Sequence, residues 1–237
     1  MPLISQLAPT GKLRAGMNLG NTLFTTRDPV TGELRGVATD LMHELASRLG
    51  VPVEFVVHAT PGDVADAAGQ GTWDVAVLAI EAARAQTIMF SSPMTEIEAS
   101  YVVHKASWLQ SVEQVDTAGV RISAAEKAGY ELFLTRTLRN ATVLRAKGFQ
   151  GSIDLFNDRR ADALAGLKPA LLAAMDSIPE GRMLEGPFMT VNHGMCTSCD
   201  RPVAAEYVRA FVIEMIASGF VARSIIRNGV RGLTAVK

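Results

Sequence analysis

Two cysteines are all that the 237 residues hold, Cys196 and Cys199 in the tetrad "CTSC". So few exclude a disulfide framework. A CxxC pair serves as a redox couple or as half of a zinc site. Zinc needs two further ligands, and His43, His58, His104 and His193 show no HxxxH-type spacing. A thioredoxin-like pair opens a helix after an early strand, whereas this one lies late in the chain. The pair therefore reads as two reduced thiols that behave as small hydrophobes.

Other things are missing. No apolar run is long enough to span a bilayer. Net charge is −1, so no basic footprint for nucleic acid exists, and no run of like charge marks a tail. The N-terminus "MPLISQLAPTGKLRAG" has no basic region followed by an apolar one, so a secretion signal is not expected in the chain. There is no low-complexity segment, no solenoid-type repeat, no GxSxG, no metal set and no phosphate loop. Cofactors are not expected.

What remains is an ordinary globular balance, 48% hydrophobic and 20% charged, in a length that suits one large domain or two small ones. "KLRAGMNL" predicts a buried strand. "VATDLMHELASRLG" predicts a helix, capped by Thr39 or Asp40, with Leu41, Leu45 and Leu49 on one face and Gly50 as the stop. "VPVEFVVH" predicts a strand, residues 61–68 a helix, and "DVAVLAI" a strand. This β-α-β-α-β order points to a parallel sheet with covering helices. The alternation recurs in "ASYVVHKAS", "VDTAGVRISAA", "KAGYELFLTRTLRN", "ATVLRA", "SIDLFNDRRADALAG" and "KPALLAAMDSI", and the chain ends in two helices. The expectation is two α/β lobes, each with its own mixed or mainly parallel sheet. Trp73 is expected to pack within the first lobe, and Phe188 is a candidate core residue.

The stretch "DVAVLAIEAARAQTIMFSSPM" ends a strand in one acid and one base, Glu81 and Arg84. With Asp74, Arg84, Phe90, Ser91 and Pro93 in this order, followed by "RRADALAG" and "GFVARSIIRNG", the chain resembles the type 2 periplasmic solute-binding proteins of ABC importers. It is most similar to their amino-acid-binding class, bacterial solute-binding protein family 3. The resemblance covers nearly the whole chain. It implies two lobes joined by two crossover strands, with a hinge and a ligand cleft between lobes. Carried over, residues 1–94 plus 196–237 would form lobe 1 and residues 99–190 lobe 2, with crossovers near 95–98 and 191–195. In the family, the Arg at the place of Arg84 holds the ligand's carboxylate, a task suited to the planar guanidinium fork.

Some positions depart from the family pattern. Glu81 stands at the threonine of "T-x-x-R"; it either neutralises Arg84 or reads a ligand donor. Leu167 and Lys168 stand where amino-acid binders place an ammonium-binding Asp, and a Lys suits an acidic group or phosphate instead. Glu126 and Lys127 replace small polar residues after the strand "RISAA". The first loop offers Asn18 and Asn21, which are also natural turn residues. The candidate lining is therefore Asn18, Asn21, Glu81, Arg84, Ser123, Lys127 and Lys168, with no catalytic or metal residue. Each has a plainer role open to it: Arg84 at a helix start, Lys127 and Lys168 in solvent.

The implied function is a non-enzymatic binding protein that closes around a small, carboxylate-bearing metabolite. Its implied partner is an ABC importer permease, with neither nucleic acid nor membrane insertion. Two alternatives stay open: a dehydratase-like enzyme acting on a cyclic hydroxy acid, and a cytosolic ligand sensor. The resemblance implies a periplasmic location; the N-terminal reading leaves a cytoplasmic one open.

Overall fold

A computed structural model describes residues 2–236. In chain order the elements are α1 (Leu3–Leu7), β1 (Leu13–Asn18), β2 (Thr26–Arg27), β3 (Leu34–Arg35), α2 (Val37–Leu49), β4 (Val53–His58), α3 (Pro61–Asp66), β5 (Val75–Ala79), β6 (Ile88–Phe90) and β7 (Thr95–His104). There follow β8 (Arg121–Ala125), α4 (Gly129–Thr137), β9 (Thr142–Ala146), α5 (Gly148–Asn157), β10 (Ala163–Leu167), α6 (Lys168–Ala174), β11 (Gly181–Met183), β12 (Met189–Ser198), α7 (Pro202–Ala217), α8 (Phe220–Arg227) and β13 (Thr234–Ala235). The described residues fall into two compact units. One runs to Glu96 and resumes at Asn192; the other is Ile97–Val191.

In the first unit β4, β1 and β5 pair in parallel, and β12 lies antiparallel to β5, with His193 opposite Ala79 and Cys196 opposite Ala76. β6 pairs antiparallel with the other edge of β12, with Phe90 opposite Cys196. The crossover α2 begins where Gly36 takes φ 124°, and a Cβ there would run into the Phe24 carbonyl. It stops at Gly50 in the left-handed conformation, φ 66°, which costs glycine nothing. Thr39 and Asp40 do not cap this helix, contrary to the sequence reading; Gly36 holds the N-cap position. Asp40 instead takes hydrogen bonds from Ser224 Oγ (2.5 Å) and Asn228 Nδ2 (2.8 Å) and pairs with Arg227 (2.6 Å), tying α2 to α8. At α3 the Thr60 hydroxyl and Asp63 carboxylate form a reciprocal capping box around Pro61.

Beneath this sheet, Val64, Trp73, Ala76, Leu78, Ile88 and Cys196 form one core cluster, with Trp73 Nε1 donating to the Val64 carbonyl at 3.0 Å. Asp74 is fully buried and accepts a two-pronged contact from Arg14 and a further one from Arg201. A buried carboxylate is tolerable only when paired in this way.

In the second unit β7 is antiparallel to β10, β10 is parallel to β8, and β8 is parallel to β9. Val102, Ile153, Phe156, Leu164, Leu171 and Ile178 make its core, and half-buried Phe188 stacks on Tyr101 at 4.4 Å. The expectation of separate sheets needs correction. β7 and β12, along which the chain passes from one set of strands to the other, are neighbours in the hydrogen-bonded order β4-β1-β5-β12-β7-β10-β8-β9.

Candidate ligand-binding residues

In open α/β sheets, ligands gather at the carboxyl ends of the strands. In the first unit the parallel strands β1, β4 and β5 end at Asn18, His58 and Ala79 on one edge, and His193 of antiparallel β12 lies in register with Ala79. Asn18 and Asn21 are half-buried in the loop after β1. Their side-chain oxygens brace that loop: Asn18 Oδ1 accepts from Gly20 N at 2.9 Å and Asn21 Oδ1 from Leu23 N at 3.3 Å. Both amide NH2 groups keep their donors free of any partner among the described residues.

Glu81 and Arg84 occupy one tight turn after β5, where Arg84 N donates to the Glu81 carbonyl at 3.0 Å and a 3₁₀ turn runs Arg84–Gln86. Both side chains are 5% exposed. Arg84 Nη1 donates to the Ala79 carbonyl at 2.9 Å, which closes off the end of β5. Burial depresses the guanidinium's proton affinity, offset in part by Cys196, Glu81 and Asp66. The Arg84 side chain is thus a rigid, desolvated cation aimed by its own strand end rather than a solvated surface group.

Two residues that the sequence reading passed over lie at the same sheet edge. His58 has a buried Nε2 with no partner among the described residues, and burial lowers its pKa. His193 is buried and its ring lies 4.6 Å from that of Phe24. For His58 the end of the strand "VPVEFVVH" is the available signal; His193 lies midway along β12 and reaches this edge only through its pairing with Ala79.

In the second unit Lys127 and Lys168 follow the parallel strands β8 and β10, at one sheet edge. Lys127 holds φ 57°, uncommon for a residue with a side chain, and its N–H donates to Glu131 Oε2 at 2.9 Å. Glu131, 2% exposed, also accepts from Thr135 Oγ1 (2.6 Å) and Arg145 Nε (2.9 Å). A buried carboxylate thus stands at the start of α4. Lys168 pairs with Glu98 of β7 at 2.5 Å. Ser123 is placed differently from these: it is fully buried within β8, and its hydroxyl donates to the Ala163 carbonyl of β10 at 3.4 Å. Glu98 and Glu131 are polar partners that the sequence reading did not include. Their roles arise from long-range pairing, which leaves no local pattern.

Cys196 is buried, Cys199 is exposed, and both are free thiols. Among the described residues no group of three or more His, Cys, Asp or Glu side chains could hold a metal ion, and no helix is long and apolar enough to cross a membrane.

The family description "bacterial extracellular solute-binding proteins, family 3" matches residues 13–225. No curated protein matches the chain by sequence. Among solved structures, the solute receptor for L-cysteine of Neisseria gonorrhoeae is similar, with a TM-score of 0.82 and 18% identity over 99% of each chain. AbpA, an amino acid ABC transporter substrate-binding protein from Streptococcus pneumoniae bound to L-arginine, gives 0.77 at 19% identity, covering 94% of this chain and 96% of its own. The ancestral amino-acid-binding protein AncCDT-1, a precursor of cyclohexadienyl dehydratase, gives 0.76 at 21% identity, covering 95% and 99%. At such identities these likenesses speak to the fold.

Proposed function

Because the chain belongs to the bacterial extracellular solute-binding proteins of family 3, we propose that it captures one small, carboxylate-bearing metabolite outside the cytoplasm and presents it to an ABC importer. The observation that carries this is the family match across residues 13–225. Residues 95–98 and 191–195 serve as the hinge.

Arg84 binds the ligand carboxylate in this reading. It lies in the turn just past the carboxyl end of β5, where open α/β sheets gather their ligands, and it is already desolvated, so little ordering cost is left to meet on binding. Asn18 and Asn21 add their amide donors from the β1 loop. Lys168 takes a second acidic group, since an ammonium could not approach it. Lys127 contributes at the same sheet edge, and Ser123 supports it from within β8. Glu81 sets the charge balance beside Arg84.

A second reading, turnover on this scaffold, is favoured by one observation: Glu81 is a buried carboxylate one turn from Arg84, an arrangement in which a general acid could act. The test is native mass spectrometry of freshly purified protein, followed by calorimetric titration with the molecule found. The bound species is expected to carry a carboxylate and to be released unchanged. Steady product release from a cyclic hydroxy acid would favour the enzyme. A bound species without an acid would overturn the carboxylate reading.

A further inference from the structure

The second unit holds a cavity of about 460 Å³ whose lining includes His104, Trp108, Leu109, Val120, Arg159 and Asp162. That volume falls in the range of small-molecule sites. None of these residues belongs to the strand-end set described above.

Trp108 is 60% exposed, although a large aromatic normally gains by burial. Its backbone is nevertheless tied down on both sides. Arg182 Nη2 donates to the carbonyls of Ser107 (3.1 Å) and Leu109 (2.5 Å), and the Leu109 side chain is 1% exposed. A fixed loop therefore places the exposed Trp108 side chain in the lining of the cavity, where an indole ring can serve as a platform for a flat ligand. A second flat surface is the His104 ring, stacked on Phe156 at 4.0 Å and 7° and held by Nε2 against the Ala161 carbonyl at 3.1 Å.

The charges decide what kind of ligand fits. Asp162 is spoken for: the Arg121 guanidinium donates to both of its carboxylate oxygens, at 3.0 and 2.9 Å, and the Arg121 backbone N–H adds a third bond at 2.9 Å. The Arg159 guanidinium has no hydrogen-bond or ion-pair partner among the described residues. Arg159 also sits in the left-handed region, φ 56°, just after α5, where glycine is the default. Its carbonyl accepts from Arg121 Nη2 at 3.3 Å, which fixes the backbone that carries the free cation. The cavity thus offers one uncompensated fork of donors beside aromatic and aliphatic walls.

We infer that this cavity is a ligand site of its own for a small planar carboxylate, with the acid on Arg159 and the flat body against Trp108. The inference does not depend on the transport reading.

Benzoate is the probe, and the indole N–H resonances of the two tryptophans are the readout. Trp108 reports on this cavity, while Trp73, buried in the first unit, reports on binding elsewhere. Millimolar benzoate should shift the Trp108 resonance saturably. Arg159→Gln, which keeps the backbone requirement but removes the charge, should weaken that binding about tenfold or more. Benzamide, the uncharged analogue, should weaken it similarly on the unaltered protein, so the test survives a poorly folding variant. An unmoved Trp108 resonance, equal binding of benzamide, or equal binding by a folded Arg159→Gln protein would each overturn the inference.

Discussion

Lys168 Nζ lies 2.5 Å from Glu98 Oε2, and the two side chains are 40% and 47% exposed. The cation that follows β10 is therefore answered by an acid from β7. An exposed pair of this kind contributes only about 0–1 kcal/mol to stability. Its consequence lies in binding. Glu98→Gln removes the competing carboxylate and should tighten an acidic ligand several-fold, whereas Lys168→Ala should weaken it. Thermal melts of both variants should stay near that of the parent. Calorimetry showing no change in either variant would remove Lys168 from the binding set.

Arg84 makes a harder prediction, because it is buried. Arg84→Ala leaves the Ala79 carbonyl without its donor, which should cost roughly 1–3 kcal/mol of stability. Loss of a desolvated charged contact to the ligand should cost a further ~2–5 kcal/mol of affinity, or about thirtyfold to several thousandfold. Arg84→Lys should recover part of this, since a point charge cannot reproduce a planar fork. Glu81→Gln separates the two roles open to Glu81. Affinity kept or improved marks a neutraliser; affinity or turnover lost marks a group that reads or protonates the ligand. A folded Arg84→Ala protein with full affinity would place the ligand elsewhere.

Much of the fold was legible locally. The strands β1, β4 and β5 were readable as apolar runs, Gly50 as a helix stop, and the β-α alternation as parallel pairing. What escaped depends on distant partners. Asp40 looks like a helix cap in sequence, yet Ser224, Asn228 and Arg227 claim it. The two-residue strands β2, β3 and β13 carry no periodicity and exist only through their neighbours. The same holds at the candidate site. The position of Arg84 after a strand was readable, but its burial and its bond to Ala79 were not, because arginine is seldom so buried. Ser123 is a lining candidate by its place in the chain, and only the ladder shows its hydroxyl turned onto Ala163.

His58 supplies a pH prediction. Burial lowers its pKa, with Asp63 offsetting a little. The unfolded chain therefore takes up the proton first. Above the ordinary histidine value of about 6.5 both states are neutral and stability is complete. As pH falls through that value the unfolded chain protonates and stability is lost, until the native histidine protonates at its lower pKa. The melting temperature should thus drop from neutral to mildly acidic pH, and His58→Gln should drop less over the same interval. Equal drops would show that His58 does not carry the effect.

Cys196 and Cys199 should differ sharply in reactivity. Cys196 packs in register with Ala76 and Phe90, and burial pushes its thiol up to about 12, with Arg84 pulling it back in part. At mildly alkaline pH almost none of it is thiolate, and the thiolate is the nucleophile. Cys199 is exposed, with only a long 3.9 Å contact from Sγ to the Gln86 carbonyl. Native protein treated with iodoacetamide should gain one adduct, on Cys199, by intact mass and peptide mapping; denaturant should add the second. Cys199→Ser should melt as the parent does. Cys196→Ser buries a hydroxyl among Val64, Trp73 and Leu78 and should cost about 1–3 kcal/mol while leaving ligand affinity unchanged. Two adducts on the native protein would show that the cluster around Cys196 opens readily, and that its thiol is more than a small hydrophobe in a packed core.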